Sequence, residues 1–521
     1  MRRRDVLRLG LSGGAAGAAA AISACAPPST GPPTLFPQGV ASGLHSAGEV
    51  VLWTRANPAV AGETATLRWE VAEDDGFGPV VASGPVTAAA ASDHTVKVLV
   101  GGLSPDRSYW YRFRHTAGDS PVGRARTLPA PGATTGSLRL AFASCQAYNA
   151  GWYTSWRDIA SRDLDAVLFL GDYIYESFSI NLLGLVRTGD PTAEAKTLED
   201  YRAKYRVYKG DPDLQAAHAA HPFVPIWDDH EIVNDYDRRI FTEEPARATA
   251  AYRAWFEYQP VWPIAGTRIH RDLPWGSVGH VFMLDGRQYR DAHRSSALPV
   301  GEAELTSFEA AVGRTMLGDA QRQWLLDGLA GAQVGATWKV IGNPVMIAPL
   351  RSVDLDTPEA RALDPDLPRH AGKYTNSGFD SWDGFVWERD LLLAHLADRS
   401  IDNTVFVTGD YHSFWQATLT PDFDDPAAPV VANEFAAGAI SSGGGAINEN
   451  YLFGNAAWGP YQPGFNYIDG LRNGYGLLEA TPDELVVTYL AHSALSRYSR
   501  PTPTARFTLT PGDPLPAVEV L

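Results

Sequence analysis

Short apolar runs broken by Gly, Pro and Asp occupy the front of the chain: Val50 to Thr54, Thr66 to Val71, Thr95 to Val100 and Tyr109 to Phe113. Runs of that length, separated by turn residues at sandwich spacing, predict a small all-β module over residues 36–130. A Pro-rich stretch from Ala26 to Pro37 leads into the module, and the segment Pro129 to Gly136 closes it. From Leu138 the pattern changes. Apolar strand-like runs (Leu138 to Ala143, Ala166 to Leu170, Val224 to Trp227, Val281 to Leu284, Trp338 to Ile341, Val405 to Val407) alternate with helical stretches at Leu214 to Ala220, Glu304 to Gly313, Ala320 to Gly331 and Phe385 to Asp398. Such alternation predicts a layered α/β (α+β) domain over residues 137–515, with terminal strands at Gly476 to Thr481, Leu485 to Leu490 and Ala505 to Leu509. No internal repeat is visible.

Two local signals refine this outline. In the front block, Gly102 to Pro105 followed by Tyr109-Trp110-Tyr111-Arg112-Phe113 resembles the tyrosine-corner region of a fibronectin-type sandwich, with Tyr109 folded back on the loop. Ahead of it, residues 1–35 read as an export signal and linker: Arg2, Arg3, Arg4 and Arg8 precede the weakly apolar run Leu9 to Ala24, which is too short and Gly-rich to span a membrane comfortably. The Arg3-Arg4 pair resembles a twin-arginine signal, which hands folded proteins to the twin-arginine export machinery. Cys25 after Ser23-Ala24 resembles a lipoprotein cleavage site with a lipid anchor at that cysteine; the alternative is a soluble secreted product.

Composition adds exclusions. With 45% hydrophobic and 20% charged residues, the 521-residue chain is globular rather than disordered, and 43 Lys+Arg against 60 Asp+Glu give a net charge of -17. A surface that acidic repels phosphate backbones, which excludes stable nucleic-acid binding. The second of the two cysteines, Cys145, is left without a partner once Cys25 belongs to the signal, so a lone thiol enters an oxidising space.

The chemistry sits at the ends of the apolar runs. One ends in Ser144-Cys145, the next in Gly171-Asp172-Tyr173-Ile174-Tyr175-Glu176, a third in Asp228-Asp229-His230-Glu231 and a later one in Gly409-Asp410-Tyr411-His412-Ser413. Ligands of open α/β sheets bind outside the carboxyl ends of strands, so tips far apart in sequence can converge. A single Gly-Asp is an ordinary turn. Tips sharing carboxylate, imidazole, thiol and phenol predict a metal centre. Asp172, Asp229 and Asp410 suit Ca, Mg, Mn or Fe(III), His412 suits transition metals, and the anions of Cys145 and Tyr175 donate strongly to Fe(III). A closed zinc site is less natural.

Cys145 in FASCQ, Asp172 and Tyr175 in LGDYIYE, Asp229 and His230 in WDDHE, and Asp410 and His412 in GDYHS resemble the signature of PhoD-type alkaline phosphatases, and the likeness covers nearly the whole mature chain. It implies a metallophosphoesterase-like catalytic domain and a site holding Fe(III) with calcium, with Cys145, Asp172, Tyr175, Asp229, Asp410 and His412 as ligands. It also implies that Asp172 bridges metals and that a metal-activated oxygen attacks phosphorus in line. His230 is then the general acid or transition-state stabiliser. Asn234, Arg287 and Asn343 are the substrate-binding candidates. The implied protein is an exported monomeric phosphatase/phosphodiesterase, acting outside the cytoplasm on nucleotide, sugar-phosphate, teichoic-acid or phospholipid esters. Two alternatives stay open: a phospholipase D-like phosphodiesterase on the same scaffold, and a non-catalytic cell-surface lipoprotein whose metals are structural.

Overall fold

The computed structural model describes residues 35–58, 63–178, 185–292, 313–349, 380–443 and 464–521, with the backbone of two short strands, Arg351–Asp354 and Lys373–Thr375. The export signal with Cys25 and, apart from Gly313, the helix expected at Glu304 to Gly313 lie outside these residues. Among the described residues, no helix is long and apolar enough to cross a membrane.

Two large mixed sheets organise the described chain. The ten-stranded sheet runs, in spatial order, through Asp513–Val520, Thr502–Thr510, Leu485–His492, Asn473–Ala480, Leu138–Ala143, Ala166–Leu170, Pro222–Ile226, Val40–Ser46, Glu49–Arg55 and Thr95–Val100. The seven-stranded sheet runs through Arg271–Trp275, Gly279–Met283, Trp338–Asn343, Thr404–Thr408, Ala432–Ala436, Phe414–Leu419 and Phe465–Asp469. The strands that carry the site are parallel neighbours: 138–143, 166–170 and 222–226 in one sheet, and 279–283, 338–343, 404–408 and 432–436 in the other. Parallel strands buried on both faces read as continuous apolar runs, which is why all of these except 432–436 were legible.

Alternation along the seven-stranded sheet divides its side chains between two cores. Val281, Met283, Val340, Val405 and Val407 join the cluster containing Phe142, Leu168, Phe169 and Val224 of the ten-stranded sheet. Phe282, Leu284, Ile341 and Phe406 point the other way, into a cluster with Leu325 and Leu329 of the helix Gly318–Gly335 and Leu392, Leu393 and Leu396 of the helix Val386–Asp398.

The front block behaves as a sandwich with one shared sheet. Val50, Leu52, Val96 and Val100 pack against Leu67, Val71, Tyr111 and Phe113 of a separate five-stranded sheet. Trp53, on the opposite face of its strand, packs into the main core instead. The strand Val40–Ser46 pairs in parallel with Pro222–Ile226, so hydrogen bonds run across the 130–137 boundary and an edge that would otherwise be exposed is covered. The tyrosine corner is present: the Ser104 amide donates to the Tyr109 hydroxyl at 2.9 Å. Polar core positions hid other elements. Ala432–Ala436 carries Glu434, which is buried and accepts from the Ile347 and Ala348 amides at 2.9 and 2.8 Å.

Candidate metal centre

Each predicted tip leaves a parallel strand by a sharp reversal. Cys145, Asp172, Asp410 and His412 have φ of 57°, 59°, 68° and 52°, and Asp235 has 58°. These are left-handed conformations that cost non-glycine residues roughly 1–3 kcal/mol each, and they concentrate where packing around a site enforces them. Glycines let the tips close on one another. Gly171 has φ of 107° and its Cα faces the Asp228 side chain, leaving no room for a methyl group. A Cβ on Gly409 would lie 2.8 Å from Cβ of Ser144. Gly171→Ala is therefore expected to force the Asp172 and Asp228 tips apart, lowering thermal stability by about 2–4 kcal/mol and activity with it. A melting curve beside a turnover assay checks both.

The tips converge as expected and form a row of cation-sized clusters with shared members. Ligand atoms of Cys145, Asp172 and His412 lie within 4.8 Å of one another, as do those of Asp172, Asp229 and His230, and those of Asp229, Asp235 and Asp380. Asp172 joins the first two clusters and Asp229 the last two. The Tyr175 hydroxyl, which donates to Asp172 Oδ2 at 2.9 Å and lies 3.2 Å from His412 Nε2, belongs with the first cluster. Asp410 is outside these three groups, although its charge bears on Cys145.

Protein partners leave gaps that cations would fill. Asp172 Oδ1 and Asp228 Oδ2 are buried with no hydrogen-bond partner among the described residues. Burial, then Asp172 and Asp410, push the Cys145 thiol well up, and burial, Asp172 and Cys145 do the same to Tyr175. Burial and its acidic neighbours raise Asp410, and burial and His230 lower His412 to about 4, keeping that imidazole neutral at ordinary pH. Groups so strongly held in their protonated forms become anionic ligands only when a cation compensates, with release of protons. The donor set therefore fits cations, and thiol plus phenol beside carboxylates fits a ferric ion in particular.

Surrounding residues brace the row. Glu231 accepts from the amides of Asp172, Tyr173 and Asp228 at 3.1, 2.6 and 2.9 Å, tying two tips together. His230 stacks on Tyr175 with ring centroids 4.2 Å apart, and its Nδ1 lies 2.7 Å from Glu176 Oε2. Burial disfavours a charge on His230, but Asp229, Asp172 and Glu176 overcome it and hold the imidazole well above its ordinary range. Burial likewise opposes ionisation of Asp229, and Arg287 with His230 reverses this, leaving it below the usual carboxylate range.

Of the substrate-binding candidates, Arg287 is fully buried. It is paired through Nε with Asp228 and through Nη1 with Asp380 at 2.7 Å, while Nη2 lies 3.8 Å from Asp229 and makes no hydrogen bond among the described residues. Asn343 is clamped, its amide donating to the Val345 carbonyl and its oxygen accepting from Trp382 Nε1 at 3.3 Å. Asn234 is exposed, and its backbone amide donates to Glu176 Oε1 at 3.2 Å. Sequence reasoning missed Asp380, which Arg290 also grips at 2.6 Å. It sits beside Ser381 without a strand run or motif before it, so no periodic signal marks it. Ser442, in a Gly/Ser loop too plain to single out, meets the Tyr175 hydroxyl at 2.7 Å.

Comparison with known proteins places the chain in a family. Alkaline phosphatase D of Bacillus subtilis (strain 168) is 34% identical over 429 residues, spanning 78% of this chain and 70% of that protein. The solved structure of PhoD superposes with a TM-score of 0.82 at 31% identity, covering 93% of this chain and 92% of that one. Residues 21–129 match the family model of the PhoD-like phosphatase N-terminal domain, and residues 140–489 match that of the PhoD-like phosphatases themselves. A convergent acidic site on a matching fold and a family model spanning most of the chain lead to one conclusion: this chain belongs to the PhoD-like phosphatase family and is a phosphoric ester hydrolase.

Proposed function

We propose that the protein is an exported, metal-dependent hydrolase of phosphate mono- and diesters, built on a metallophosphoesterase-like layered domain. The observation that carries this reading is the row of three clusters joined by Asp172 and Asp229. Cys145, Tyr175, Asp172 and His412 would hold Fe(III), and Asp172, Asp229, Asp235 and Asp380 would hold calcium, with Asp410 contributing from its own tip. When bound, such cations supply charge neutralisation on the phosphoryl oxygens and activation of the attacking oxygen. The chain supplies the rest. Glu176 accepts a hydrogen bond from His230 Nδ1–H, which fixes the ring and leaves Nε2–H to pass a proton to the departing oxygen. Arg287 Nη2, without a hydrogen bond of its own, is the guanidinium nitrogen offered to a phosphoryl oxygen. The twin-arginine pattern of Arg3-Arg4 supports export, with Cys25 as a candidate lipid anchor.

Relative turnover of a nitrophenyl monoester, a nitrophenyl diester and phosphatidylcholine tests the substrate class. Hydrolysis of the first two that is lost in chelator and restored by calcium is expected; dominant phosphatidylcholine cleavage would move the assignment to a phospholipase D-like enzyme. His230→Gln should lower kcat by about 10²–10³-fold with little change in KM, since general acid catalysis acts on the transition state. Purified protein is expected to be coloured by phenolate-to-iron charge transfer, and Tyr175→Phe should abolish that band. An iron-free, colourless wild type with full activity rejects the iron assignment.

A further inference from the structure

Ser442 lies on the segment after the strand Ala432–Ala436 and is fully buried. That segment is stapled to the thiol-bearing tip. The Ile440 amide donates to Ser144 O at 3.0 Å, and the Ser441 and Ser442 amides donate to Cys145 O at 3.3 and 3.1 Å. Asn473 Nδ2 donates to Ser442 O at 2.9 Å, and Ser441 Oγ donates to Ala147 O at 2.9 Å.

The Ser442 hydroxyl itself has a fixed polarity. It accepts from the Ala147 amide at 2.8 Å, and a backbone N–H can only donate. Its single proton is directed to the Tyr175 oxygen, 2.7 Å away, since the Tyr175 proton goes to Asp172 Oδ2. Tyr175 is buried, and among the described residues its oxygen otherwise meets only Asp172 Oδ2 and His412 Nε2.

We propose that Ser442 is a positioning residue that tunes Tyr175 for the reaction, donating a permanent hydrogen bond to its oxygen and withdrawing charge from the phenolate it becomes on binding iron. The inference rests on the iron reading above. A donor held rigidly outside the ligand shell orients the ligand and sets how strongly it donates, and losing such a partner typically lowers affinity or activity about 10–100-fold. Because the Tyr175 proton goes to Asp172 Oδ2, and a phenolate has none, Ser442 is the donor of this pair in both states.

The test uses the full-length, iron-loaded protein and reads its visible charge-transfer band. Ser442→Ala removes the donor and is expected to shift the band to longer wavelength, because an electron-richer phenolate transfers charge more readily, and to lower kcat about tenfold with KM little changed. Ser441→Ala breaks a staple of the same segment without touching Tyr175, and its band should stay where the wild type has it. Melting curves of both variants establish that they fold. An unmoved band in folded Ser442→Ala overturns the proposal. Equal shifts in both variants also overturn it, since loop anchoring would then be the whole effect. A wild type that loads no iron and shows no band removes the iron reading itself, and the proposal with it.

Discussion

Asp172→Asn is expected to reduce phosphoesterase activity at least about 10³-fold and to strip the protein of both classes of cation, because a single carboxylate serves two neighbouring clusters. Asparagine keeps the volume and tolerates the left-handed backbone at φ 59°, so the loss reports the charge rather than a collapsed tip. The metal-free variant should melt no lower than metal-free wild type. Asp172 is buried among Asp229, Asp228 and Glu231, and burial with those like charges raises its pKa well above the ordinary carboxylate value. A raised carboxyl stabilises the fold only while it is protonated and loses that contribution as pH rises through its folded value; the amide has nothing to lose. Metal content, turnover and a melting curve at pH 8 check the three parts. Retained activity with retained fold would show that Asp172 does not carry the reaction.

Arg287→Ala is expected to have the largest effect on stability. The guanidinium is wholly buried between Asp228 and Asp380, with Asp229 at 3.8 Å, and nothing among the described residues can replace its charge for all three. Removing one partner of a buried ion pair typically costs about 3–5 kcal/mol, because the other charge stays behind unpaired. Here the charges left behind are ligands or neighbours of ligands, so calcium should recover part of the loss. Melting temperatures in chelator and in calcium measure this. A variant equally stable in both solutions would show that Arg287 balances no cation-facing charge.

The site accounts for part of the acidity of the chain. Part of its carboxylate excess is gathered at one buried row, where the proposed cations would balance it in place of solvent. The net charge of -17 therefore overstates the repulsion an anionic ester meets at the centre.

Strand runs such as Ala166–Leu170 and Thr404–Thr408 were readable because parallel strands covered on both faces need uninterrupted apolar side chains, and that is a property of local order along the chain. The candidate ligands at their ends were picked out for a related reason: Cys145, Asp172, Asp229, Asp410 and His412 follow shortly after strands whose direction aims them at one edge. Asp380 and Ser442 follow no such run, and their roles arise from contacts with Arg287, Arg290 and Tyr175, far away in sequence. The fusion of the front module with the main sheet was equally hidden. Val40–Ser46 finds its parallel partner in Pro222–Ile226, a pairing between segments about as far apart as any in the first half of the chain. Periodicity and residue chemistry are written into neighbouring positions, so the chain by itself settles which elements form and which groups end them. Partner choice, left-handed tips and the sharing of Asp172 and Asp229 between clusters depend on which distant surfaces pack together, and packing is what sets them.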